Sequence, residues 1–311
     1  MYMPWNPNCN VQWRSVSRLF AIAVATTNVA AIAADINVPG DEPTIQRGID
    51  AAQDGDRVLV AEGSYSESID FHGKNLQVMA TGRPDKTVIS AAGHAHAVVF
   101  QSGEAEAALA GFSIENANAS GSGKDSAGGG ILVTGTAAPD IHDNFIHDNR
   151  ACDGAGIAVF DAARPRMHDN RIQHNAATNC DFGHGGGVGI SGLGDGRVGI
   201  INNILVQHGN HGVACGADDG GMVFDDNLIY TPEGVTSEGN CTWQGTLLTT
   251  DPQFVGGSDK SHGYWLLPTS PAIDAGENGA TDGYNTRDLT GAARISGQAV
   301  DMGAIEFRQG G

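Results

Sequence analysis

Three loops in the middle of the chain carry the residues best suited to chemistry. Each joins a cysteine to acidic residues: Cys152-Asp153, Cys180-Asp181, and Cys215 followed by Asp218-Asp219. Carboxylates accept hydrogen bonds but do not donate them, and they repel one another. Several gathered at one place suit a hard, oxygen-seeking cation such as calcium. Asp153, Asp181, Asp218 and Asp219 are therefore the expected metal ligands, against the alternative that they are acidic turns spread into water. Arg150 lies two residues before Cys152, and His184 and His174 flank the second loop. Arginine can neutralise a carboxylate on a substrate, and an imidazole can move a proton near neutral pH. Arg150, His184 and His174 are the candidate catalytic groups, and an aspartate in register with His174, Asp148, would orient it and raise its basicity.

These loops can meet only if the elements around them recur. They do: Gly128-Gly129-Gly130-Ile131-Leu132-Val133 returns as Gly154-Ala155-Gly156-Ile157-Ala158-Val159 and Gly185-Gly186-Gly187-Val188-Gly189-Ile190. A second short strand follows in each unit and contains Asn144, Asn170, Asn203 or Asn227, spaced 26, 33 and 24 residues apart. Units of this length with short strands and no helical periodicity describe a solenoid, one coil per unit. The fold expected is all-β, a single-stranded right-handed parallel β-helix of about eight coils at roughly 25 residues each. The four asparagines should form a ladder of amides, Ile131, Ile157, Val188, Ile146, Ile172 and Leu205 should face inward, and His142 should lie over His168. Thr44 to Ala52, with Ile45, Ile49 and Ala52 at helical spacing, should be a short N-terminal helix covering the open end.

Residues 36–90, from Ile36-Asn37-Val38-Pro39 through the helix to Val58-Leu59-Val60-Ala61-Glu62-Gly63-Ser64-Tyr65, resemble the cap and first coils of bacterial pectate-lyase-like β-helix proteins. The other end, with Asp251-Pro252-Gln253-Phe254-Val255, Leu266 to Gly276 and Asp301-Met302-Gly303-Ala304-Ile305-Glu306-Phe307, resembles the closing segment described as a choice-of-anchor domain. The resemblance implies an extracellular polysaccharide as partner and, most simply, calcium-assisted elimination from a uronate-containing glycan. A non-catalytic glycan- or protein-binding module and a glycoside hydrolase are the alternatives. The relatives often continue into an anchoring tail, whereas this chain stops four residues after Phe307, so a released protein is expected. His184 sits in Phe182-Gly183-His184-Gly185, similar to the Gly-His-Gly element of β-helix polygalacturonases, but their paired aspartates and Arg-Ile-Lys element are absent.

Arg14 and Arg18 precede an apolar stretch from Leu19 to Ala33 that ends in Ala31-Ile32-Ala33, the pattern of an export signal over 1–33. The expected organisation is that signal, a coil domain over 34–245 and a closing segment over 246–311. Without the signal the formal charge moves from −19 to −21, which argues against nucleic acid and anionic membranes as partners. Cys9 would leave with it. The remaining Cys152, Cys180, Cys215 and Cys241 are an even set, suited to disulfides outside the cytoplasm; stacked coils make 152–180 a natural pair and allow 215–241, with the connectivity left open by the sequence. The expected state is a secreted monomer. Asp274, Asp282, Asp288 and Asp301 in the closing segment are expected to be structural, with Arg287 and Arg294 as surface partners of little energetic weight.

Overall fold

The computed structural model describes residues 33–178, 184–193, 197–206, 211–216, 222–231, 237–255, 265–281 and 287–308. Residues 33–311 form one compact unit. The segment 1–33 expected to be an export signal, apart from Ala33, lies outside the described residues, as do Cys180, Asp181, Asp218, Asp219 and Asp282.

The fold is a parallel β-helix. Its strands pair in parallel with the equivalent strand of the next coil, giving a fifteen-stranded sheet that wraps two flanks and a seven-stranded sheet on the third. On that third flank Ile131–Val133 aligns with Ile157–Phe160, then Val188–Ser191, Val213–Cys215 and Ser237–Gly239. Alternate residues point inward, so like stacks on like: Ile131, Ile157, Val188 and Val213 are fully buried in one column, and Ile146, Ile172 and Leu205 in another. Burying each such side chain is worth about 1.5–3 kcal/mol, and the column repeats this at every coil.

The asparagine ladder forms as the spacing predicts. The Asn144, Asn170 and Asn203 amides each donate to the carbonyl oxygen of the next ladder residue, at 3.2, 3.1 and 3.2 Å, and each backbone N–H donates to the same oxygen. The ladder is needed because the residue before each asparagine, Asp143, Asp169, Asn202 or Asp226, turns the chain through the left-handed region at φ of 54, 56, 57 and 49°. Such a corner leaves backbone groups without strand partners, and the buried amides satisfy them. A second pair, Asn149 and Asn175, repeats the arrangement at the next corner.

The helix Ile45–Ala51 closes the first coil. Thr44 accepts from Arg47 N–H, and the Glu67 carboxylate accepts from the amides of Ile45 and Gln46, so the helix start is satisfied from a neighbouring coil. Lys74 donates to the carbonyls of Ile49, Asp50 and Ala52 at the other end. Among the described residues no helix is long and apolar enough to cross a membrane.

The closing segment runs along the side of the coil stack. Phe254, Leu266, Ala272 and Met302 pack with Ile204 and Leu228 from the outer face of the coils, and Ile305 and Leu289 cover Phe145 further back. Arg294 corrects the expectation of a surface pair. It is 2% exposed and lies against Asp143, Asp169 and Glu306, because the segment brings its cation onto the corner aspartates beside the ladder. Asp288 and Asp301 are structural in a specific sense: Asp288 accepts from the backbone of Thr290, Ala292 and Glu306, and Asp301 from Asp274 and Phe307.

Candidate active site

On the seven-stranded flank the outward positions narrow from Leu132 to Ala158, Gly189 and Ala214. The small residues let the preceding loops fold back over the strands. A methyl group on Gly189 would sit 2.7 Å from the Gly154 nitrogen, and one on Gly154 would sit 2.3 Å from the Ile157 carbonyl oxygen. Gly128, Gly154 and Gly185 make this reversal at φ of 65, 52 and 61°, which explains the glycine cluster before each strand. The loop backbones then continue the stacking, with Asp153 bridged to His184 in parallel.

The next residue of the outward row is Glu238, in register with Ala214. Here a groove of about 390 Å³ opens, lined by Asp153, Phe160, His184, Ile190, Ala214, Cys215, Glu238 and neighbouring glycines. Its walls come from four successive coils, so it runs along the solenoid axis for about 14 Å at roughly 4.8 Å per coil. Its floor is mostly apolar, and its polar groups converge. His184 Nδ1 lies 2.7 Å from Glu238 Oε2, and His211 Nδ1 lies 3.0 Å from the same oxygen.

The hydrogen bond that His184 donates to the Glu238 carboxylate raises the His184 pKa, with burial opposing and Asp153 adding to the rise. Burial pushes the Asp153 carboxyl above its ordinary value, partly offset by His184 and reinforced by Glu238. The pair is thus a carboxylate made more basic than usual beside an imidazole made easier to protonate, with Glu238 fixing the ring through Nδ1 and leaving Nε2 for a bound molecule. Such a pair can accept a proton at one atom and deliver one at another.

Of the residues singled out from sequence, Asp153 and His184 meet in this groove. Arg150 lies in Arg150–Ala151, an exposed position paired with Ala176 on another turn and not among the groove's lining residues. His174 occupies the left-handed corner after Arg171–Gln173, its ring 3.2 Å from the Gln173 amide nitrogen. Asp148 occupies the equivalent corner one coil earlier and contacts His147 at 2.6 Å. His142 and His168 stack as expected, with ring centroids 5.0 Å apart.

Cys215 and Cys241 form a disulfide that ties the strand beneath the groove to the turn after Glu238. Cys152 is disulfide-bonded, and Cys180 lies outside the described residues. Of the four aspartates expected to hold calcium only Asp153 is described. Among the described residues its charged neighbours are His184 and Glu238. Among the described residues an acidic group with converging oxygens occurs elsewhere, at Asp225, Asp226 and Glu277. Glu238 and His211 were not singled out from sequence; Glu238 was findable as the residue 24 positions after Ala214 in the coil repeat.

Residues 85–229 match the family described as "Right handed beta helix region", which accords with the architecture. No curated protein matches the chain. Two solved structures do. A pectin methylesterase mutant in complex with a hexasaccharide matches at 13% identity and a TM-score of 0.37, covering 78% of this chain and all of its own. A pectate lyase matches at 13% identity and 0.36, covering 89% and 97%.

Proposed function

We propose that this chain is a secreted polysaccharide-active enzyme that cleaves an extended glycan in the groove of Asp153, His184 and Glu238. The observation that carries the reading is the His184–Glu238 contact beside a desolvated Asp153, set in a cleft that runs with the solenoid axis. In this reading Asp153 is the proton acceptor and the protonated His184 ring is the donor, the two roles that an acid–base cleavage needs. Glu238 is the positioning residue.

The cleavage is read as elimination from a uronate-containing polymer. Asp153 removes the proton beside the sugar carboxylate, and His184 protonates the departing glycosidic oxygen, leaving one unsaturated and one free end. The uronate charge is met by the protonated His184 ring, and calcium would supply further neutralisation if the acidic loops hold it. A glycoside hydrolase is the second reading, favoured by the presence of two carboxyl groups, Asp153 and Glu238, in one cleft. The export pattern at the N-terminus and the disulfide support an extracellular or periplasmic setting.

Incubation with pectate, alginate and neutral glycans, with and without chelator, tests the reading. Ultraviolet absorbance from unsaturated ends marks elimination, and new reducing ends without it mark hydrolysis. Tight binding without turnover would make the chain a glycan-binding module instead, and folded protein with neither binding nor turnover would remove the polysaccharide reading.

A further inference from the structure

The second large cavity lies on the far flank, away from the groove. It encloses about 480 Å³ between the outer face of the early coils and the turn Arg287 to Gly291 of the closing segment. Its floor is set by a single outward column in which Met79, Ala110, His142 and His168 occupy equivalent places in successive coils. His142 and His168 stack nearly parallel, at 9° and 5.0 Å between centroids. One coil earlier, where a third ring would continue the stack, the chain places the methyl group of Ala110, and the room so left opens into the cavity.

The His142 ring is fixed, because Nδ1 lies 2.8 Å from Asp143 Oδ2. It therefore offers a preset face at coil spacing, where a flat ring gains stacking without reordering the site. The charged groups around the cavity are mostly matched: Arg83 is held bidentately by Asp85, Asp143 faces Arg294, and Asp288 faces Arg308. Arg287 differs. Its guanidinium donates to the Gly291 carbonyl, which fixes it on the exposed turn at the rim, and none of its ion pairs is formed with a carboxylate among the described residues.

We propose that this cavity is a binding site for a small ring-bearing carboxylate, the ring continuing the His142–His168 stack and the carboxylate pairing with Arg287. Both an aromatic acid and a sugar acid have this chemistry. The site is separate from the groove and does not depend on what the groove does.

Isothermal titration with benzoate and with galacturonate tests it, carried out on the His184→Gln protein so that the groove contributes little. Binding of benzoate alone identifies an aromatic acid, and binding of galacturonate alone or of both admits a sugar acid. Arg287→Gln, on an exposed turn, should weaken the bound probe by about tenfold, the loss expected for one charge-assisted contact. Ala110→Leu should abolish binding by filling the slot, with thermal unfolding used to show that the protein is intact. Failure of both probes to titrate, or unchanged affinity in Arg287→Gln, overturns the proposal.

Discussion

Arg294 Nη2 lies 2.5 Å from Asp169 Oδ1, deep between the closing segment and the corner of a coil. Both residues are almost fully buried, and Asp143 and Glu306 stand on the other sides of the same guanidinium. A strand solenoid has no need of such a pair for its own folding. The contact instead joins the last part of the chain to its middle.

Replacing Arg294 with methionine would leave the buried charges of Asp143 and Asp169 without their cation. Uncompensated buried charge costs about 3–5 kcal/mol. Urea unfolding should show a loss of that order, and limited proteolysis should cut first within 246–311. A loss below about 1 kcal/mol would mean that the corner aspartates are neutralised in another way.

The same cluster sets a pH dependence. Burial opposes the charge on His168, yet the carboxylates of Asp140 and Asp169, accepting from its ring nitrogens, raise its pKa to about 9. Its protonated form is thus favoured by folding, a contribution fully present below the unfolded value near 6.5 and lost as pH rises through about 9. Burial and Asp301 raise the Glu306 carboxyl to about 8, so the folded chain holds a proton that the unfolded chain releases above about 4.5. Stability again falls as pH rises. Both signs agree, and thermal unfolding between pH 6.5 and 9 should show a steady fall in midpoint that is reduced in His168→Gln.

Asn170 accepts from Asn144 and donates to Ile141, His168 and Asn203, with no exposure to water. Asn170→Ala leaves several buried backbone groups unmatched, and a loss of about 2–3 kcal/mol in urea unfolding is expected. A terminal rung, Asn227→Ala, should cost less.

The coils, the inward columns and the ladder were legible because each depends on one residue recurring at nearly fixed spacing. Asn149 and Asn175 carry the same 26-residue interval and could have been read in the same way. Asp153 and His184 were also visible, since they sit in glycine-marked loops. Glu238 was readable only by counting the 24-residue coil interval from Ala214, because its strand Ser237–Gly239 has lost the glycine cluster that announces the others. Arg294 looked like a surface charge for a different reason: the closing segment has no period, and nothing local states that it folds back over coils more than a hundred residues away.

The groove depends on close backbone approach. Gly189→Ala would place a methyl group 2.7 Å from the Gly154 nitrogen and push away the loop that carries Asp153. A cost of about 1–3 kcal/mol is expected from overpacking, with a greater proportional loss of glycan turnover. Equal turnover at unchanged stability would show that the loop can move without consequence.

The pH–rate profile of glycan cleavage, compared between the natural protein and Glu238→Gln, tests the proposed chemistry most directly. Glu238 supports the imidazolium of His184, so its removal should lower the rate and move the alkaline limb to lower pH, with a smaller downward move of the acid limb set by Asp153. Profiles that superimpose at equal rate, or a folded protein that cleaves no polysaccharide, would contradict the assignment of His184, Glu238 and Asp153.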